Sequence, residues 1–139
     1  MMSMLRAFTV VITILFLTAC QQAVKPVYDI DIAGTYYLVK VDGIAIPGAI
    51  SHDGVALEVS SGTFIISTDG TCTSKTRFTA PGGKEVTRKV HAKYKMRDSK
   101  LIMTWKGAGV TEGKVAGDVF IMDNHGMIFE YSRNPGGEK

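Results

Sequence analysis

An all-β fold, an eight-stranded antiparallel up-and-down barrel, is predicted from three features of the chain. Beyond residue 33 apolar and polar residues alternate in short runs, no stretch keeps a helical period, and glycine-rich pairs and triplets punctuate the runs. Eight runs joined mostly by short turns suit closure, which removes the edges an open sheet would expose.

The first predicted strand is Thr35 to Val41, closed by Asp42-Gly43. Tyr37, Val39 and Val41 form its more apolar face, so alternation leaves open whether Tyr36 or Tyr37 points inward. Ile44 to Asp53 holds Pro47 and Gly48 and reads as a crossover loop. Val55 to Val59 and Thr63 to Ser67 read as two strands turned by Ser60-Ser61-Gly62. Asp69-Gly70 is a strong hairpin signal, because both residues tolerate the positive φ of a tight primed turn. Thr71 to Ala80 and Glu85 to Arg97 then flank Pro81-Gly82-Gly83, and the second of these alternates most clearly in the chain. Leu101 to Trp105, Lys114 to Met122 and Met127 to Arg133 complete the count, with Gly107 to Gly113 as a flexible connection and residues 134–139 as a loose polar tail.

The 139 residues carry a formal charge of +3, and the 120 residues after position 19 carry +2. That length makes one domain, and so small a charge gives no case for nucleic-acid binding. Cys20 and Cys72 are the two cysteines, too few for a disulfide framework if Cys20 is otherwise engaged.

Arg6 precedes a ten-residue apolar run, Phe8 to Leu17, which at ~1.5 Å per residue cannot cross a ~30 Å hydrocarbon layer as a helix. It suits a signal peptide over residues 1–19. Leu17-Thr18-Ala19-Cys20 resembles the lipobox of bacterial lipoproteins. The resemblance implies cleavage before Cys20 and acylation of that residue by chains such as palmitate, which together anchor stably where one chain would be marginal. Gln21 in place of Asp is similar to lipoproteins sorted to the outer membrane of a Gram-negative host, on its periplasmic face. An ordinary secretory signal is the alternative, since Thr18-Ala19 also suits a small-residue cleavage site. Residues 20–32 form the lipidated Cys and a polar tether whose stretch from Gln21 to Asp31, if extended at about 3.1 Å per residue, spans ~30 Å.

Gly34-Thr35-Tyr36 opening the first strand and Arg133 closing the last resemble the lipocalin-like (calycin) barrels, over residues 33–133. There an aromatic near the first strand is covered by an arginine at the closed end, so the resemblance pairs Tyr36 with Arg133. It implies a barrel binding a small apolar or amphipathic ligand; a barrel of eight strands either holds one such ligand or is filled by its own side chains.

The hairpin of Thr71 to Ala80 and Glu85 to Arg97 carries the most chemistry. If Cys72, Ser74, Thr76 and Phe78 face inward with Val86, Val90 and Tyr94, then Lys75, Arg77, Lys89, Lys93, Lys95 and Arg97 share the outer face. That basic surface suits anionic lipid headgroups or an acidic envelope partner, against the plainer reading of a solvated strand face that resists aggregation. Inside, Phe64, Phe78, Tyr94, Met96, Met103 and Trp105 are the candidate apolar lining, with Arg88 placed to bind a carboxylate or phosphate. The plainer reading satisfies Arg88 at a barrel mouth or on a carboxylate.

No metal or cofactor is expected. His52, His91 and His125 lack ligand spacing, and no nucleophile and base are grouped as an enzyme would need. Gly107 to Lys114 fails as a phosphate-binding loop, since Val115 replaces the Ser/Thr and a strand follows where a helix is required. The expectation is a binding protein on a membrane anchor; the competing reading is a filled barrel that binds another envelope protein as an inhibitor or assembly factor.

Overall fold

The computed structural model describes residues 31–136. The expected signal peptide, the expected lipidation at Cys20 and the expected tether up to residue 30 lie outside the described residues, as do residues 137–139. The strands are β1 (Gly34–Val41), β2 (Ile44–Ala45), β3 (Gly48–His52), β4 (Val55–Ile66), β5 (Thr71–Thr79), β6 (Glu85–Arg97), β7 (Lys100–Trp105), β8 (Gly109–Ala116), β9 (Val119–Asn124) and β10 (Met127–Ser132). Each strand from β4 to β10 pairs antiparallel with the next. β1 joins the two ends, meeting β10 from Tyr37↔Ser132 to Val41↔Phe129 and β4 from Gly34↔Ile66 to Tyr37↔Thr63. The fold is thus all-β, a closed eight-stranded antiparallel barrel in up-and-down order. The short β2 and β3 belong to the crossover, β3 lying along the first half of β4.

Eight strands close the barrel, as the alternation predicts, but two segments differ from that pattern in opposite directions. Val55 to Val59 and the run from Thr63 are one strand, β4, with no turn at Ser60-Ser61-Gly62. A bulge between Val59 and Ser61 inserts one residue, so the inward set slips from Leu57 and Val59 to Phe64 and Ile66. Gly62 sits in the strand because a Cβ there would lie 2.9 Å from the Leu38 side chain on β1. Conversely, Lys114 to Met122 is broken at Gly117-Asp118, where Gly117 takes φ +59°, and the supposed loop before it belongs largely to β8. Gly113 is likewise a strand residue, since a Cβ would come within 2.8 Å of Phe120 Cζ. Both glycines admit a neighbouring side chain; they do not turn the chain.

A second bulge, between Leu38 and Lys40, lets Tyr36, Leu38 and Val41 all point inward and leaves Tyr37 42% exposed. Around Tyr36 the core is aromatic. Phe64 lies 4.6 Å from Phe120 and 5.4 Å from Tyr131 between ring centroids, Tyr36 packs on Phe120, and Trp105 meets Phe64 edge-on. Each such side chain stabilises by roughly 1.5–3 kcal/mol on burial. Arg133 covers this plug, its guanidinium 4.8 Å from the centre of the Tyr36 ring. It donates to the Tyr36 hydroxyl and to the Asp31 carbonyl, while Tyr36 donates to the Ile32 carbonyl at 2.7 Å. Ile32 packs against the core, so the barrel is pinned at its first described residues, and its core is completed between Ile32 and Tyr131.

Candidate functional site

Antiparallel pairing puts the β1 start, the β4–β5, β6–β7 and β8–β9 turns and Arg133 at one end of the barrel, the end filled by aromatic rings. At the other end, ringed by the β5–β6, β7–β8 and β9–β10 connections, lies a cavity of about 430 Å³. That volume falls within the range of small-molecule pockets, roughly 300–1,000 Å³.

The cavity has three zones. Its floor is the upper side of the plug, made by Trp105, Tyr131 and Ser74. Apolar side chains from opposite walls follow: Val41, Ile50, Leu57 and Val59 on one side, Phe78 and Val90 on β5 and β6, and Met122 and Phe129 on β9 and β10. At the mouth stand Arg88, Thr76 directly opposite it across the β5–β6 ladder, and Asn124 and His125 on the β9–β10 turn.

Of the floor's polar atoms one is engaged with the protein and one is not. Trp105 Nε1 donates to Thr111 Oγ1 at 2.7 Å, both side chains buried, which leaves the indole ring as an apolar surface toward the cavity. Tyr131 is fully buried, and its hydroxyl has no hydrogen-bond partner among the described residues. Burial pushes its phenol above the ordinary value, and the neighbouring Ser74 hydroxyl moderates the shift. At the mouth, Arg88 is exposed, is the only lining residue with a permanent charge, and has no ion pair among the described residues.

Of the seven lining candidates, the structure brings Phe78, Arg88 and Trp105 together in this cavity. Phe64 and Met103 are fully buried in the core and lie outside the lining. Tyr94 and Met96 sit half-buried toward the closed end, where Tyr94 donates to the Ser67 carbonyl at 2.7 Å. Burial raises the Tyr94 phenol, with Cys72 and then Asp69 adding to the shift. Cys72 is a buried free thiol held up to about 11 by burial, a neutral and unreactive side chain at pH 7.

Lys75, Arg77, Lys89, Lys93, Lys95 and Arg97 are all exposed on the outer face of β5 and β6. Arg77 meets Glu85 at 3.5 Å, whereas Lys75 lies directly opposite Lys89. His91 shares that face and pairs with Thr73 at 3.0 Å; His52 lies between Asp42 at 3.6 Å and Asp53 at 3.3 Å. Among the described residues no three His, Cys, Asp or Glu side chains gather as metal ligands.

Most of the cavity wall escaped the sequence-based lining. Met127, Phe129 and Tyr131 alternate along β10 and were detectable by period alone. Ile50 was hidden in the crossover, and Val41 and Val59 lie beside bulges that disturb the alternation. No family model, curated protein or solved structure matches the chain.

Proposed function

We propose that this chain is a lipid-anchored protein of the bacterial cell envelope whose barrel takes up a small apolar or amphipathic ligand through the mouth lined by Arg88 and His125. The observation that carries the reading is the cavity of about 430 Å³ above a solid aromatic floor. Its walls are apolar and its lining offers one charged side chain, a composition suited to solvating a hydrocarbon and orienting it rather than to transforming it. The lipobox-like Leu17-Thr18-Ala19-Cys20 supports the anchor, and the closed eight-stranded barrel with Arg133 over Tyr36 is compatible with a lipocalin-like domain. On an outer-membrane lipoprotein the barrel would stand in the periplasm.

Native mass spectrometry tests the reading. The barrel from Asp31 onward, purified without detergent from a host that exports it, should carry a single small adduct or accept an apolar fluorescent probe at one site. A bare mass together with no probe binding returns the chain to the protein-binding reading.

A further inference from the structure

We propose that the outer face of β5 and β6 docks on an anionic phospholipid bilayer, so that the barrel lies on its side against the membrane that holds its anchor. The choice of partner rests on the anchor reading; the surface itself does not.

Charge balance singles this face out. Lys40 on β1 stands beside Glu130 at 4.0 Å, and Lys100 on β7 beside Glu112 at 3.3 Å. The outer positions of β5 and β6 hold one carboxylate, Glu85, and Arg77 meets it at 3.5 Å. Lys75, Lys89, Lys93, Lys95 and Arg97 have no ion pair among the described residues, and Lys75 lies directly opposite Lys89. Like charges so placed destabilise a sheet.

Protection against aggregation does not account for that repulsion. Lysines guard strands whose edge is open, and neither of these has one: β5 pairs with β4 and β6, and β6 pairs with β5 and β7. An anionic partner outside the barrel removes the repulsion without touching the core.

Shape and position choose the partner. Arg97 lies eight residues along β6 from Lys89, roughly 26 Å at about 3.3 Å per residue. That is about three times the ~8 Å Debye length at physiological salt, so a single small anion meets one part of the row and an extended anionic surface meets all of it. Hydroxyls stand ready as further donors to phosphate oxygens, Thr63 beside Lys75, and Thr71 and Thr104 on either side of Lys93. The described chain begins at the closed end, where Arg133 donates to the Asp31 carbonyl, and the β6–β7 turn after Arg97 belongs to the same end. The stretch from Gln21 to Asp31, ~30 Å if extended, keeps that end within reach of a membrane holding Cys20.

The test uses residues 20–139 with Cys20→Ser, which keeps every described residue and adds no acyl chain, at about 0.15 M salt. Sedimentation should occur with vesicles containing about 30% phosphatidylglycerol and not with phosphatidylcholine alone. Each lysine near such a surface contributes about fivefold to partitioning, so Lys89→Gln with Lys93→Gln should lower it by about 25-fold. Lys40→Gln with Lys114→Gln, an equal change of net charge on other strands, should lower it less than threefold. Bound vesicles should shield Lys89 and Lys93 from acetylation and leave Lys40 and Lys114 reactive. Equal losses in the two double variants, or uniform acetylation, overturn the face. Absence of sedimentation with anionic vesicles overturns the membrane as partner, and retention on polyglutamate in that case assigns the face to an acidic polymer. Cell fractions are read after a wash at about 1 M salt, where a ~3 Å Debye length releases a chain held by this face alone and leaves a lipid-anchored one, so the face and the anchor fail separately.

Discussion

Replacing Gly113 by alanine should destabilise the barrel although it adds a single methyl group. The new Cβ would stand 2.8 Å from Phe120 Cζ and 3.1 Å from Met103 Cε, and both residues are fully buried. Neither can swing into solvent, because Phe120 is held between Phe64 at 4.6 Å and Tyr131 at 5.6 Å. Overpacking of this kind costs about 1–3 kcal/mol. Against it, exchanging glycine for alanine stiffens the unfolded chain and recovers roughly 0.4–1 kcal/mol. The net loss is therefore about 0–2.6 kcal/mol, and the middle of that range, ~1.3 kcal/mol, lowers the melting temperature of a domain this size by roughly 5–10 °C. Urea unfolding followed by Trp105 fluorescence measures it. The Phe120→Leu variant separates this cause from a backbone effect: in the double variant the two losses should fall short of additivity by about 0.5–3 kcal/mol. A stabilising Gly113→Ala, or strict additivity with Phe120→Leu, would refute the view that this glycine is a space for an aromatic ring.

Other consequences can be checked in parallel. Cys72 is held neutral to about 11 in the fold against 9.0 in the open chain, so its contribution is complete below pH 9 and is lost as pH rises through 11. Comparing urea midpoints at pH 7 and 10.5, wild type should lose on the order of 2 kcal/mol more than Cys72→Ala; parallel slopes would contradict the burial account. Lys75 and Lys89 oppose each other across β5 and β6, so Lys89→Glu should stabilise by about 0.2–1 kcal/mol in the same assay. If the basic face meets anionic membranes, changing Lys89, Lys93 and Lys95 together to Glu should abolish sedimentation with anionic vesicles, and unchanged sedimentation removes that role. Cys20→Ser should leave an unprocessed or soluble chain on fractionation, and a cleaved, membrane-retained form would rule out the lipid anchor.

The parts of the fold that were legible in the sequence are those where strand period runs undisturbed. The β5–β6 hairpin is such a region: Asp69-Gly70 marks its start, and the inner and outer sets of residues from Cys72 to Arg97 appear as alternation dictates. What stayed hidden was hidden by two physical causes. Bulges beside Val39 and Ser60 shift the phase by one residue, so a continuous β4 looks like two strands and alternation leaves Tyr36 and Tyr37 undecided. In sequence, glycines that make room inside a closing barrel are indistinguishable from glycines that turn, so Gly62 and Gly113 look like punctuation. The site divided along the same line. Phe78, Arg88 and Trp105 lie on strands of clean period, but which inward residues surround space and which fill it depends on how far the aromatic plug rises. Phe64 and Met103 are inward like Phe78 and differ only in height along the barrel.

The central claim is that space accessible to a ligand exists above that plug. Trp105 is the chain's one tryptophan and forms part of the floor, so its emission reports the cavity directly. Titrating the barrel with decanol should shift or quench that emission saturably with one ligand per chain, and Val90→Phe, which fills the wall, should abolish the response while leaving the barrel folded. Emission that does not respond, or a response unchanged in Val90→Phe, would contradict the account.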